Sequence, residues 1–266
     1  MHGPTWSVTE LSCRLAVLAA APFIGSFLGV LIRRLPQGRP VVLARSVCEH
    51  CGVTLGIRDL VPLASYVWQR GRCRACGAAI APFHPVVELA AVGVAGWAVL
   101  AEPDVGRLWA DCALAWSLLA LGWIDWCWML LPDALTLPLL LAGLGLTLAA
   151  EPAALADHAA GAIAGYTGLR GVALCYRAVR GREGMGAGDA KLLAAAGAWL
   201  GLAALPLVVL IAALLGLALA GGLALSGRKL RATTALPFGV CLAAALWLVW
   251  LHGNGIIEVG GMAWPV

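Results

Sequence analysis

The stretch LPLVVLIAALLGLALAGGLALS, residues 205–226, holds no charged side chain and is long enough, as a helix, to cross the roughly 30 Å hydrocarbon core of a bilayer. In lipid a single chain segment satisfies its own backbone donors and acceptors only as a helix, so this run is a predicted transmembrane span. Working outward, similar apolar runs occur at about 11–32, 86–101, 106–124, 128–150, 154–178, 190–203 and 236–252. The chain of 266 residues is 62% hydrophobic and 12% charged, with a mean hydropathy of +0.90. Ordinary soluble domains carry about 25% charged residues. A soluble globule, a disordered chain and a small disulfide scaffold are therefore excluded. The expected fold is all-α: a polytopic membrane protein with about eight transmembrane helices and a small polar loop domain between the first and second.

The formal net charge of +4 does not point to nucleic acid, because the basic residues cluster between apolar runs. Arg33, Arg34, Arg39, Arg45, Arg58, Arg70, Arg72 and Arg74 outweigh Glu49 and Asp59, so this segment is expected to face the cytoplasm. The first span does not read as a cleaved signal peptide, since its positive flank follows the apolar run. The N-terminus is then outside and the turns alternate. Glu102 and Asp104 fall outside, Asp125 inside, Glu151 and Asp157 outside, Arg177, Arg180 and Arg182 inside. The turn near Ala204 is outside, Arg228, Lys229 and Arg231 inside, and the tail from His252 outside. The predicted division is 1–32 as the first helix, 33–85 as a cytoplasmic module and 86–266 as a seven-helix membrane domain. Gly161, Gly165 and Gly168, with Gly216, Gly221 and Gly222, suit close helix packing. Trp123, Trp126 and Trp128, and Trp247 with Trp250, suit aromatic belts at the two interfaces.

Nine cysteines are present, four of them in the cytoplasmic module, where reducing conditions favour metal ligation over disulfides. Cys48-Glu49-His50-Cys51 and Cys73-Arg74-Ala75-Cys76 are two C-x-x-C pairs separated by 21 residues. Two such turns supply the tetrahedral thiolate set that zinc prefers at about 2.3 Å, and four protein ligands leave no position for water, so the zinc is expected to be structural. His50 is an alternative ligand. Cys13, Cys112, Cys127, Cys175 and Cys241 read as buried apolar filler.

Carboxylates in or beside membrane spans are costly, which makes them functional candidates. Asp125 follows Trp123-Ile124, Asp133 follows Leu131-Pro132, and Asp189 closes Gly184-Met185-Gly186-Ala187-Gly188-Asp189; all three are expected on the cytoplasmic side. Two carboxylates close together in a low-dielectric pocket share one proton and can activate one water, which is aspartyl protease chemistry. An Asp at a helix start can instead be an N-cap, a reading open for Asp133 and Asp189. Asp125 ends a span, where the helix dipole disfavours it. Lys191 is expected to snorkel to the interface. A glycine loop for S-adenosylmethionine at Glu183–Gly188 is the weaker reading, since such loops join a strand to a helix.

Several motifs together resemble the type IV prepilin peptidases, membrane aspartyl proteases that process pilins and type II secretion pseudopilins. They run Gly25-Ser26-Phe27-Leu28-Gly29-Val30-Leu31-Ile32-Arg33-Arg34-Leu35-Pro36, the cysteine pairs, Pro62-Leu63-Ala64-Ser65-Tyr66, Gly71-Arg72-Cys73 and Pro85-Val86-Val87-Glu88-Leu89. Leu130-Leu131-Pro132-Asp133-Ala134-Leu135-Thr136-Leu137-Pro138 and Gly186-Ala187-Gly188-Asp189-Ala190-Lys191-Leu192-Leu193, a GxGD motif, complete the set. The resemblance implies that Asp125 and Asp189 are the catalytic pair and Asp133 part of a helix-start motif. It implies inner-membrane cleavage of a basic leader after Gly and before Phe at the cytoplasmic face, then N-methylation with S-adenosylmethionine. Gly29 stands where this family usually has Asn, Glu49 where it has Pro, and Phe83-His84 where it has Arg-Tyr.

Expected partners are prepilin or pseudopilin substrates and membrane lipids, with no nucleic acid. The loop and the expected leader are both basic, so anionic lipid is the better partner for the arginines. The rival from another class is a proton-coupled transporter, whose acids belong near mid-bilayer. A methyltransferase without peptidase activity, or a peptidase without methylation, are further alternatives.

Overall fold

A computed structural model describes residues 6–42, 45–182, 184–227 and 235–259. Glu183, Arg228, Lys229 and Arg231, used above for the glycine loop and the topology, lie outside the described residues. Among the described residues nine α-helices follow in chain order: α1 Val8–Arg34, α2 Ala64–Trp68, α3 Phe83–Ala101, α4 Val105–Trp128, α5 Asp133–Ala150, α6 Leu155–Arg180, α7 Ala187–Leu200, α8 Leu205–Leu225 and α9 Phe238–Val259. Among the described residues the only extended pairings are two isolated bridges, Val47 with Thr54 and Arg72 with Ala79, one beside each cysteine pair.

Every predicted span falls on a helix, α1 or α3 to α9. By length and hydropathy, α1, α3, α4, α5 and α8 qualify as membrane-crossing, and α9 contributes a shorter apolar run, Phe238–Gly253. The difference at α7 has a packing cause. It has 14 residues, or about 21 Å, less than the roughly 30 Å core. Ten of its residues, from Asp189 to Trp199, are buried, because α5, α6 and α9 pack around it. A helix apolar on all sides and enclosed by others need not meet lipid.

The chain forms two compact units, residues 1–120 and 121–266. In the first, α1 lies along α3. Val17, Ala21, Gly25, Leu28 and Ile32 recur at helical spacing on the buried face of α1, opposite Val87, Ala91, Ala95 and Ala98. Ser7 and Glu10 close a capping box at the start of α1. Buried Arg14 donates to the carbonyls of Val99, Glu102 (3.0 Å) and Pro103 (3.0 Å), satisfying the open end of α3.

In the second unit, α6 crosses α7 backbone to backbone. A Cβ on Gly197 would sit 2.2 Å from the Gly161 carbonyl carbon, and one on Gly165 would sit 2.6 Å from the Leu193 oxygen. Gly168, Gly221 and Gly222, expected to pack in the same way, have no such neighbour within 4 Å. Gly197→Ala is therefore expected to cost about 1–3 kcal/mol through overpacking, seen as a lower unfolding midpoint in detergent. Trp126 and Trp128 are exposed as a belt requires, whereas Trp247 is buried and Trp250 stacks edge-on to Trp199 at 5.2 Å. The second tryptophan pair thus belongs to the helix core. Cys112 and Cys241 are buried as expected, but Cys127 and Cys175 are exposed on outward faces.

Candidate active site

Asp125 sits in the last turn of α4 and Asp189 in the first turn of α7, and both are buried, at 5% and 8% exposure. The end of a helix is electrostatically poor for a carboxylate, so Asp125 needs donors from elsewhere. The first turn of α9 provides them: the Val240 amide donates to Asp125 Oδ2 at 3.1 Å. Asp189 is the third residue of α7 rather than its N-cap, which is Gly186, and its carboxylate turns back on the Gly186 backbone amide. The side chain of Leu131 stands beside both positions. A Cβ on Gly188 would meet Leu131 Cβ at 2.8 Å, and one on Gly239 would meet Leu131 Cδ1 at 3.0 Å and Asp125 Oδ2 at 2.8 Å. The charge of Asp125 acts directly on Asp189. Gly188 and Gly239 thus admit close approach where any side chain would fill the space.

Asp133 is the first residue of α5, makes no side-chain cap, and forms an ion pair with Lys191. Lys191 therefore ties α7 to the start of α5 instead of extending to the interface alone. Asp125 and Asp189 instead stay buried, beside the two glycines that pack against Leu131. Sequence reasoning missed Gly239 and Val240, because their contribution is a backbone amide and a close approach that only a missing side chain permits. Gly239→Ala is expected to lower turnover at least about tenfold with the fold retained, since a displacement of about 1 Å in a catalytic group costs roughly 100-fold. Cleavage kinetics beside an unfolding curve check it.

In the first unit the sulfurs of Cys48, Cys51, Cys73 and Cys76 all lie within 4.8 Å of one another. Cys48 and Cys76 Sγ are 3.9 Å apart, close to the roughly 3.8 Å edge of a tetrahedron with 2.3 Å zinc–sulfur bonds. The donor set fits zinc without His50. Backbone amides of Cys51 and His50 bring the Cys48 thiol down to about 6, favouring the thiolate that a metal needs.

Next to this cluster is a cavity of about 610 Å³, lined among others by Arg33, Glu49, Asp59, Gln69, Ile80 and His84. Arg33 pairs with Glu49 and lies over the Phe83 ring at 4.9 Å. A Cβ on Gly29 would touch His84 Nδ1 at 3.0 Å. The four positions where the chain departs from the usual motifs thus meet in one place, around Arg33. A larger residue at position 29 requires the His84 ring to give way.

Two family profiles cover most of the chain: the bacterial peptidase A24 N-terminal domain matches residues 19–101, and the type IV leader peptidase family matches residues 112–221. A prepilin leader peptidase/N-methyltransferase of Aeromonas hydrophila is 41% identical, over 96% of this chain and 94% of that protein. The chain belongs to the type IV leader peptidase family. A like-named protein of Burkholderia pseudomallei strain 1026b is 42% identical over 83% of this chain and 79% of its own length. One from Pseudomonas aeruginosa is 37% identical over 91% of each. No solved structure matches the chain. Within this leader peptidase family member, Asp125 and Asp189 both belong to the second unit, and the four cysteines to the first.

Proposed function

We propose that this multi-pass membrane protein is an aspartyl endopeptidase of the inner membrane, cutting the basic leader of type IV prepilins or type II secretion pseudopilins at the cytoplasmic face, after Gly and before Phe. In the same reading it then methylates the new N-terminus. Residues 86–266 are the peptidase part and 33–85 the zinc-stabilised module. One observation carries the peptidase reading: two buried acids from distant parts of the chain each lie beside a glycine, Gly239 for Asp125 and Gly188 for Asp189, and both glycines pack against the same side chain, Leu131.

The pair holds one proton between its members. The ionised carboxylate takes a proton from water as the water oxygen bonds to the scissile carbonyl carbon, while the protonated partner gives its proton to the carbonyl oxygen. Collapse of the tetrahedral species breaks the C–N bond, and a carboxyl proton passes to the departing nitrogen. The acids lie at helix ends, not at helix centres, which favours hydrolysis at a membrane face over a mid-bilayer proton pathway.

S-adenosylmethionine supplies an electrophilic methyl group on a sulfonium centre. The 610 Å³ cavity fits such a ligand in chemistry: Arg33 suits its carboxylate, Glu49 its ammonium, Asp59 and Gln69 its ribose hydroxyls, and Val53, Leu55 and Ile80 its adenine. The Cys48 to Cys76 site would hold structural zinc and shape that wall. Incubating membranes with a synthetic prepilin and isotopically labelled methyl donor, then reading the N-terminal mass, tests both activities. Cleavage before Phe with one added methyl is expected; an intact leader refutes the peptidase, and an unmethylated product refutes the transferase.

A further inference from the structure

The cytoplasmic module carries apolar residues that nothing in the fold covers. Ile57 is 89% exposed, Val67 74% and Trp68 88%. They are close along the chain, on the 3-10 turn Ile57–Asp59 and on α2, and the hydrogen bond from Gln69 Nε2 to Asp59 Oδ1 (3.0 Å) ties those two elements together.

The depth of α2 follows from how it is anchored. The Leu63 amide, just before α2, donates to buried Glu88 Oε2 at 2.7 Å. Leu63 adopts a strained φ of 57° there, which the bond offsets. Glu88 is level with Gly25 and Ser26 of α1: a Cβ on Gly25 would lie 2.7 Å from the Glu88 Cα, and the Ser26 side chain bonds the carboxylate. From Ser26, α1 runs on to its basic end at Arg33 and Arg34, about 12 Å further along its axis at 1.5 Å per residue. The headgroup layer of one leaflet is only about 5–8 Å thick. The start of α2 is thus set well to the membrane side of those arginines, at the boundary of headgroups and acyl chains.

Charge points the same way. Arg58, Arg70, Arg72 and Arg74 are exposed on this stretch, and its one acid, Asp59, is half-buried and engaged by Gln69, the Gly56 amide and Arg74. Exposed Trp with flanking Arg matches the interfacial zone of an anionic leaflet.

We propose that Ile57, Val67 and Trp68 lie in the inner-leaflet interface, with Arg58 and Arg70 on anionic headgroups, so that the module rests on the bilayer surface instead of standing free of it. The proposal does not depend on which residues are catalytic. Full-length protein goes into nanodiscs of phosphatidylcholine with or without phosphatidylglycerol, the acyl chains brominated near their headgroup end. Subtracting the emission of Trp68→Phe isolates Trp68. Loss of most of that emission under brominated lipid, with little loss to aqueous iodide, is the expected result. The phosphatidylglycerol-dependent part of the quenching is expected to vanish in Arg58→Gln/Arg70→Gln. Iodide quenching with no bromolipid effect overturns the proposal, as does protection from both quenchers, the mark of a protein partner or a second copy on this face. Quenching that ignores phosphatidylglycerol in both proteins overturns the assignment of an anionic headgroup.

Discussion

Asp125→Asn and Asp189→Asn are each expected to reduce prepilin cleavage to background, a loss of at least about 10³-fold, with membrane insertion, unfolding midpoint and zinc content at wild-type values. The size follows from the proposed chemistry: general acid–base catalysis by a placed carboxyl supplies about 10²–10⁴-fold, and in that proposal the two acids act as one unit, so losing either would remove the shared proton and the water it activates. The amide is nearly isosteric and the Val240 amide still finds an oxygen to bond, so folding is spared. Asp133→Asn is the control. Its carboxylate pairs with Lys191 and is over half exposed, so the variant retains most activity, as expected for an exposed ion pair worth about 0–1 kcal/mol. The assay is prepilin cleavage in membranes, and cleavage surviving in either of the first two variants would remove the assignment.

The second large effect concerns the cysteine module. Cys73→Ser, or chelation of wild-type protein, is expected to take bound zinc from about one per chain to none and to abolish amide-exchange protection across residues 46–80. Outside the cysteine cluster this loop has only isolated bridges, short turns and the five-residue helix α2. Structural zinc supplies apparent binding energies of about 10–16 kcal/mol, which such a loop cannot replace by burying apolar area. Cys73 is itself buried and its site adjoins the 610 Å³ cavity, so if the methyl donor binds there as proposed, methyl transfer is expected to be lost with the metal. Elemental analysis and exchange mass spectrometry read the two outcomes independently of the peptidase.

The eight apolar runs, the paired cysteines and the acids at span ends were all legible in the chain, because each is a local property: hydropathy over about 20 residues, or a spacing of ligands. Asp133 looked equivalent to Asp125 and Asp189 at that level. Only the fold separated them, by placing Lys191 against Asp133 and the first turn of α9 against Asp125. Gly168 and Gly197 likewise look alike as small residues in apolar helices, yet one meets nothing and the other meets the backbone of α6. The same holds for Trp250, whose belt position gave way to a ring contact with Trp199. The sequence by itself determined the class of fold and singled out the paired cysteines and the candidate acids, since those depend on what each residue is. The tertiary structure alone decided which acid is ion-paired, which glycine is a contact and which side chain anchors the start of α2. Those depend on neighbours distant in the chain, and a backbone amide such as that of Val240 has no signature in the sequence.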